Sequence, residues 1–206
     1  GMWVGIRQVL GNYFYNTNQV SADAADGWMD MVTDERWSGQ NLGHDPTPNM
    51  FLMSWLLDTQ GREYFEELAS QNPRWVDSHT DLARFAGAGE FPVSFTYTHK
   101  MASFGEQLPV NYFKWDPTPA VISPAVINNK APQPNSAILL VDYLISQTGQ
   151  QKVGEGGYIP VNPEAEFVGY PGVYPSDEYE VDTVSPEDVN VAEVQDMWSE
   201  VMGDQL

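Results

Sequence analysis

Hydrophobic and polar positions along the chain follow two different periods, one typical of strands and the other of helices. Apolar and aromatic runs bounded by turn formers predict strands, at residues 8–15, 41–45, 91–97, 110–115 and 120–127. Apolar residues three and four positions apart predict helices, at residues 47–57, 63–70, 78–87, 134–146, 146–154 and 185–201, and a short amphipathic turn at residues 28–32. A loop rich in Gly, Pro and Tyr is predicted at residues 169–176. Because strands and helices alternate, the pattern favours an α/β fold with parallel strand pairing.

Capping and breaking residues indicate where helices begin and end. Thr47 is predicted to cap a helix whose first residue is Pro48, because Pro suits the first helical position. Gly61 is predicted to break that helix. Ser185 precedes Pro186 and an acid three residues on, which predicts the cap of the last helix. One helix start therefore directly follows a predicted strand.

The charge balance excludes one broad class of function. The chain of 206 residues has 29 acidic and 9 basic side chains and a net charge of −20. A nucleic-acid surface needs clustered Lys and Arg, so no nucleic-acid partner is expected. The acids favour either a well-solvated surface or a face that attracts cations. No apolar run approaches the ~18 residues of a membrane helix.

Residues that commonly carry catalytic chemistry are sparse. The sequence has no Cys, which excludes disulfides, zinc–thiolate sites and Cys nucleophiles. Its histidines, at positions 44, 79 and 99, lack the spacing of a metal site. Neither a Gly-rich phosphate loop nor a G-x-S-x-G elbow is present. We therefore expect no enzymatic activity, no catalytic residues, no cofactor and no metal-ligand set.

A series of short motifs covers nearly the whole chain in a distinctive order. The first are WMDMV (28–32), RWSGQ (36–40), LGHDP (42–46) and GEFPV (89–93). The later ones are KAPQPNSA (130–137), DYLIS (142–146) and GYIPV (157–161). Their order and spacing resemble those of bacterial extracellular solute-binding proteins of ABC transporters, in the ferric-ion, thiamine and phosphonate group. The segment from Trp3 to Thr17 is similar to the crossover strand of that family.

The resemblance implies a periplasmic-binding-protein-like α/β fold, with two lobes and a ligand cleft between them. Residues 1–17 would be the crossover strand region, and residues 18–118 a complete second α/β lobe. Residues 119–206 would be the returning part of an incomplete first lobe, with C-terminal helices. Gly1 before Met2 is typical of a cloning remnant. We therefore expect the chain to be the C-terminal two-thirds of such a protein.

If the first lobe is incomplete, apolar faces of its helices would be exposed to solvent. The predicted helix at residues 134–146 and the closing helix at residues 191–201 each have an apolar stripe. Exposed stripes of this kind mark interfaces. We expect either a homodimer through the incomplete lobe or rearranged contacts within one chain.

The resemblance also implies a function, partners and a location. The protein would be the solute-binding component of an ABC importer, in the periplasm or at the cell surface, with a signal sequence that these 206 residues do not include. It would capture a small anionic or zwitterionic solute, such as a phosphonate, phosphate ester or carboxylate, and deliver it to the permease subunits. Ferric ion is the alternative ligand. A periplasmic enzyme on a similar two-lobed fold and a pure interaction module are the other interpretations.

Two loops are predicted to reach the ligand cleft. Helix N-termini bind anions, and open α/β sheets bind ligands at the carboxyl ends of their strands. Both features occur together after the strand at 41–45, and the strand at 91–97 ends in a second polar loop. The candidate ligand-binding residues from these loops are Asp45, Thr47, Asn49, Tyr97, Thr98 and His99.

Two residues of the crossover region complete the candidate set. Arg7 has the planar fork of donors that suits carboxylate or phosphate, although a surface arginine is the other interpretation. Tyr15 faces either the cleft or the core. In the iron-binding branch of the family, two adjacent tyrosines follow the strand equivalent to residues 91–97. The matching positions here are His99 and Lys100, which argues against ferric ion because it prefers oxygen donors.

Overall fold

One long strand runs through the sheet and connects its two parts. The structure, a computed structural model, describes residues 3–104, 107–165 and 181–203. Its strands are β1 (Trp3–Asn16), β2 (Leu42–His44), β3 (Arg74–Trp75), β4 (Val93–Tyr97), β5 (Val110–Tyr112), β6 (Thr118–Val126) and β7 (Val181–Val184). The predicted loop at residues 169–176 lies outside the described residues.

Helices occupy most of the connections between these strands. They are α1 (Trp28–Thr33), α2 (Met50–Ser70), α3 (His79–Ala88), α4 (His99–Phe104), α5 (Pro134–Ile145), α6 (Gln147–Glu155) and α7 (Val191–Met202), with a 3-10 turn at Glu35–Trp37. None of them, within the described ranges, combines the length and apolarity needed to cross a membrane. The α/β class predicted from the alternation of elements is confirmed.

The strand pairing departs from the expected parallel pattern at β1. The strands lie in the order β3-β2-β4-β1-β6-β7, and β5 also pairs with β1. Residues 3–10 of β1 pair antiparallel with β6, and residues 11–15 pair antiparallel with β4. The pairs β2–β3, β2–β4 and β6–β7 are parallel. The prediction of parallel pairing is therefore wrong for β1, because hydrophobic periodicity reports burial and not strand direction.

The first predicted helix cap is wrong by two residues. Asn49, and not Thr47, caps α2: its Oδ1 accepts from the backbone N–H of Phe51 at 2.9 Å. Thr47 lies instead in a turn with Asp45, where its backbone N–H and its hydroxyl donate to the Asp45 carboxylate at 2.9 and 3.3 Å. Further along α2, Gly61 has φ 76° and ψ 178°, so the predicted break there is confirmed.

The cap predicted for the closing helix is also wrong. α7 begins at Val191, and Asn190 caps it by accepting from the backbone N–H of Glu193. Ser185 lies in a separate turn, which is closed by the backbone N–H of Asp188 donating to the Ser185 carbonyl at 3.1 Å. A capping pattern can thus be satisfied by a single turn that does not continue as a helix.

α7 completes the main hydrophobic core. It packs against α2 with Val194, Met197, Trp198 and Met202 buried. The indole Nε1 of Trp198 donates to the carbonyl of Pro46 at 3.2 Å, which ties α7 to the loop between β2 and α2. The apolar stripe of the closing helix is therefore covered within one chain.

α5 is exposed in the same structure. It has no buried residue, and Leu139 and Leu140 are 71% and 57% exposed. Trp3 and Val126, which are paired at the outer ends of β1 and β6, are also exposed. The apolar surface that we expect to be covered by a second copy or by other contacts is therefore that of α5 and of this end of the sheet.

Candidate functional site

The carboxyl ends of β2 and β4 lie side by side and begin the candidate site. These two strands are parallel and adjacent, with Gly43 opposite Ser94. Asp45 directly follows β2, and Tyr97 is the last residue of β4. Parallel strands bring the loops at their carboxyl ends together, so the two predicted loops meet at one edge of the sheet.

Asp45 is a buried carboxylate held by three donors. Its Oδ2 lies 2.7 Å from Nε2 of His79, the first residue of α3. Its Oδ1 accepts from the backbone N–H of Thr47 at 2.9 Å and from the Thr47 hydroxyl at 3.3 Å. Burial raises the pKa of Asp45, but the hydrogen bonds from His79 and Thr47 outweigh it and leave the pKa below its ordinary value. Asp45 is therefore an ionised anchor whose oxygens are already occupied.

Tyr97 joins the β4 loop to the start of α2. Its hydroxyl accepts a hydrogen bond from the backbone N–H of Asn49, and its ring packs 4.2 Å from the His79 ring. Burial, together with the negative charge of Asp45, raises the pKa of Tyr97. The phenol therefore stays protonated and can donate a hydrogen bond.

Aromatic rings continue from Tyr97 towards β1. The Tyr97 and His99 rings stack with centroids 5.7 Å apart, and the His99 and Tyr158 rings stack at 4.4 Å. Burial lowers the pKa of His99 to about 3, and the positive charges of Lys100 and Arg7 add to that effect. His99 is therefore a neutral imidazole at physiological pH.

Arg7 lies at the other end of this run of side chains. Its Cζ lies 4.0 Å from the centroid of the Tyr158 ring, and its Nε donates to the hydroxyl of Ser123 at 3.4 Å. Ser123 is on β6, directly opposite Arg7 in the register of the sheet. Among the described residues no carboxylate pairs with the partly buried Arg7. Every other arginine of the sequence forms an ion pair with an acid.

The structure thus brings most of the sequence-predicted candidates together. Asp45, Tyr97, His99 and Arg7 form a continuous run of contacts through His79 and Tyr158, while Thr47 and Asn49 adjoin it through the hydrogen bonds given above. Thr98 is buried beside it, with its backbone N–H donating to the Leu10 carbonyl at 3.1 Å.

Tyr15 does not join this cluster. It lies opposite Val93 at the beginning of β4, whereas Gly11 is opposite Tyr97 at the end. Its ring packs against Phe113 in a tilted arrangement with centroids 4.6 Å apart, and burial raises the pKa of its hydroxyl. The antiparallel register of β1 explains this position, because Tyr15 is four positions further along the extended strand than Gly11.

His79 and Tyr158 belong to the cluster but were not predicted from the sequence. His79 resembled a lone histidine, and its partner Asp45 is far away along the chain. Tyr158 was part of the GYIPV motif at residues 157–161, which was used to recognise the family and not as a source of site residues. That motif was the one sequence feature that could have indicated Tyr158 as a site residue, because it follows a predicted helix and is followed by polar residues.

The donors of the cluster match the oxygens of an anion. In the part of the chain that the structure describes, no group of three or more His, Cys, Asp or Glu side chains could hold a metal. Within the described ranges, the two terminal nitrogens of Arg7 have no acceptor, and together they match two oxygens of a carboxylate or phosphate. A nearby cavity of about 360 Å³ is lined mainly by apolar side chains, with Asn49 and Ser123 on its border.

Comparisons with solved structures agree with this architecture. Iron-bound HitA from Pseudomonas aeruginosa matches with a TM-score of 0.83 and 18% identity, over 98% of this chain and 69% of that one. The Campylobacter jejuni ferric binding protein matches with a TM-score of 0.81 and 14% identity, over 97% and 70% of the two chains. AfuA from Actinobacillus pleuropneumoniae, bound to fructose-6-phosphate, matches with a TM-score of 0.78 and 19% identity, over 98% and 67%. At these identities the likeness establishes the fold.

Sequence comparison establishes the family. Among proteins with curated descriptions, none matches the sequence significantly. Residues 1–151 match the family model of the bacterial extracellular solute-binding proteins, which confirms the family indicated by the ordered motifs. The matched segment contains most of the site, from Arg7 to His99. The chain therefore belongs to the bacterial extracellular solute-binding proteins.

Proposed function

We propose that this protein is the solute-binding component of an ABC importer and captures a small anionic or zwitterionic solute. The observation that carries the proposal is Arg7, which is partly buried and has no carboxylate partner among the described residues. A buried charge without a partner is costly. In a chain with a net charge of −20, an arginine that forms no ion pair with the described acids is suited to bind an anionic ligand.

The other members of the cluster supply polar contacts around that charge. His99 is neutral and Tyr97 is protonated, so both can form hydrogen bonds without repelling or neutralising a bound anion. Thr47 has an exposed position at the same edge. Asn49 contributes less as an anion site than expected, because its side chain occupies the first N–H groups of α2. We assign Arg7 the main contact and the others supporting contacts.

Ferric ion is the second candidate ligand. It is favoured by the shared fold of iron-bound HitA and by the phenol of Tyr97 at the end of β4. Ferric ion binds phenolate, however, and both burial and Asp45 raise the pKa of Tyr97. The anionic organic solute is therefore the preferred candidate. The periplasmic or cell-surface location and the permease partners are proposals that rest on the family.

A thermal-shift panel tests the proposal. The probes are inorganic phosphate, methylphosphonate, fructose 6-phosphate, glycine and ferric citrate, added to the purified chain. We expect at least one of the phosphate or phosphonate probes to raise the Tm, because a ligand that binds only the folded state stabilises it. Arg7→Gln should reduce the shift at a given probe concentration, while Arg84→Gln, at an exposed ion pair with Asp81, should keep it.

Two results would contradict the proposal. The first is a shift with ferric citrate alone, accompanied by a visible charge-transfer band that Tyr97→Phe removes. The second is a shift with a phosphate probe that Arg7→Gln leaves unchanged.

A further inference from the structure

Tyr158 occupies a position with a clear relation to Arg7. It lies after α6, between Gly157, whose φ is 83°, and Ile159. Its ring contacts the Arg7 guanidinium at 4.0 Å and the His99 ring at 4.4 Å. Guanidinium groups are attracted to aromatic faces, so Tyr158 restricts the orientations that the Arg7 fork adopts.

The backbone around Tyr158 is fixed to β1 next to Arg7. The backbone N–H of Gln8 donates to the Ile159 carbonyl at 2.8 Å, and the backbone N–H of Ile159 donates back to the Gln8 carbonyl at 3.2 Å. This reciprocal pair holds the residue after Tyr158 against the residue after Arg7. The two side chains are therefore brought together by backbone hydrogen bonds and not by the side-chain contact alone.

Gln150 anchors the same loop from α6. Its side chain is fully buried, and its Nε2 donates to the carbonyls of Ile6 at 2.8 Å and Leu144 at 2.7 Å. Its Oε1 accepts from the backbone N–H of Val161 at 2.6 Å. A buried amide with all of these bonds satisfied fixes one arrangement of the chain, here that of β1 and the Tyr158 loop.

These contacts leave a defined set of donors on Arg7. The Nε is bonded to Ser123, and one region of the guanidinium plane is covered by Tyr158. The two terminal nitrogens have no acceptor among the residues that the structure describes, and together they match two oxygens of a carboxylate or a phosphate monoester. Orienting them before the ligand arrives reduces the entropy lost on binding.

We propose that Tyr158 is a positioning residue of the anion site: its ring, held by the Gln8–Ile159 and Gln150 hydrogen bonds, orients Arg7 for end-on binding of a phosphate monoester or carboxylate. This inference rests on the proposed function, since it concerns how the same site recognises its solute. Tyr158 acts through Arg7 and does not itself contact the solute.

Calorimetric titration with fructose 6-phosphate and inorganic phosphate tests the coupling between the two residues. Tyr158→Phe keeps the ring and should change Kd by less than about twofold, while Tyr158→Leu should weaken binding about five- to tenfold. In an Arg7→Gln background Tyr158→Leu should have no further effect. Tyr143→Leu, on the exposed face of α5, is the matched control. Equal effects of Tyr158→Leu in both backgrounds would show a merely structural role and overturn the inference.

A second measurement needs no ligand. In a nitrogen–proton spectrum of the ¹⁵N-labelled chain, the Arg7 Nε–H resonance should be displaced by the ring current of Tyr158. The displacement should remain in Tyr158→Phe and disappear in Tyr158→Leu. An unchanged Arg7 resonance in Tyr158→Leu overturns the inference even if anions bind. A displaced resonance in a chain that binds none of the probes supports the positioning contact and contradicts the proposed function.

Discussion

Replacing His44 should flatten the dependence of stability on pH. His44 is fully buried, stacks on Phe95 at 4.8 Å and has Nδ1 3.0 Å from the Asp45 carbonyl oxygen. Burial lowers its pKa from 6.5 to about 4, against the opposing influence of Asp45 and with a small contribution from His79. The folded state therefore keeps His44 neutral over a range in which the unfolded chain protonates it.

The sign and size of the effect follow from this difference. Between pH 6.5 and about pH 4 the unfolded state binds one more proton at His44, so the free energy of unfolding falls as the pH falls. A pKa difference of one is equivalent to about 1.4 kcal/mol, so the full contribution is about 3 kcal/mol. About 2 kcal/mol of it is lost between pH 7 and pH 4.5. His99, with a pKa of about 3, should add a loss of the same sign.

Urea denaturation at pH 7 and pH 4.5 measures the effect. We expect His44→Gln to reduce the stability difference between the two pH values by about 2 kcal/mol, whatever its effect at pH 7. His99→Gln should remove a further part of the difference. If the difference in His44→Gln equals that of the wild type, then His44 is not the neutral buried group that the structure describes.

Two further predictions concern the helices of the C-terminal half. Trp198→Ala should lower the free energy of unfolding by about 3–5 kcal/mol, because the ring is buried between α7 and α2. The control Glu200→Ala loses only an exposed ion pair and should lower it by less than about 1 kcal/mol. Equal losses in urea denaturation would contradict the packing of α7. Replacing Leu139 by Lys and Leu140 by Gln should change stability by no more than about 0.5 kcal/mol but lower any dimeric fraction in size-exclusion chromatography with light scattering. An unchanged dimer fraction would show that α5 is not the contact between copies.

Strand ends in the sequence predicted which candidate residues lie close together. Asp45 and Tyr97 lie close together, as expected, because polar residues that follow neighbouring parallel strands meet at one edge of the sheet. Tyr158 was missed because its contact with Arg7 depends on a distant loop that returns to β1. Tyr15 was included among the candidates because a strand pattern gives the face on which a residue lies. It does not give the distance of that residue from the carboxyl end of β4, where the cluster lies.

The helix boundaries show a similar division. The break at Gly61 follows from the residue itself, since glycine tolerates positive φ. The cap at Asn49 could not be chosen over Thr47 from the sequence, because both side chains are good caps. In the structure the Thr47 hydroxyl is hydrogen-bonded to Asp45, and Asn49 accepts from the first N–H groups of α2. Propensity therefore gives the candidate caps, and tertiary contacts such as the one between Asp45 and His79 are not visible in the sequence pattern.

A calorimetric titration of the wild type, Arg7→Gln and Arg84→Gln with fructose 6-phosphate, inorganic phosphate and methylphosphonate tests the central claim most directly. The account predicts saturable binding of at least one of these anions by the wild type and by Arg84→Gln. In Arg7→Gln the affinity for that anion should be at least about tenfold lower, because a charged hydrogen-bond donor to the anion is lost. Equal affinity of Arg7→Gln and the wild type, or no heat of binding with any of the three anions, would contradict it.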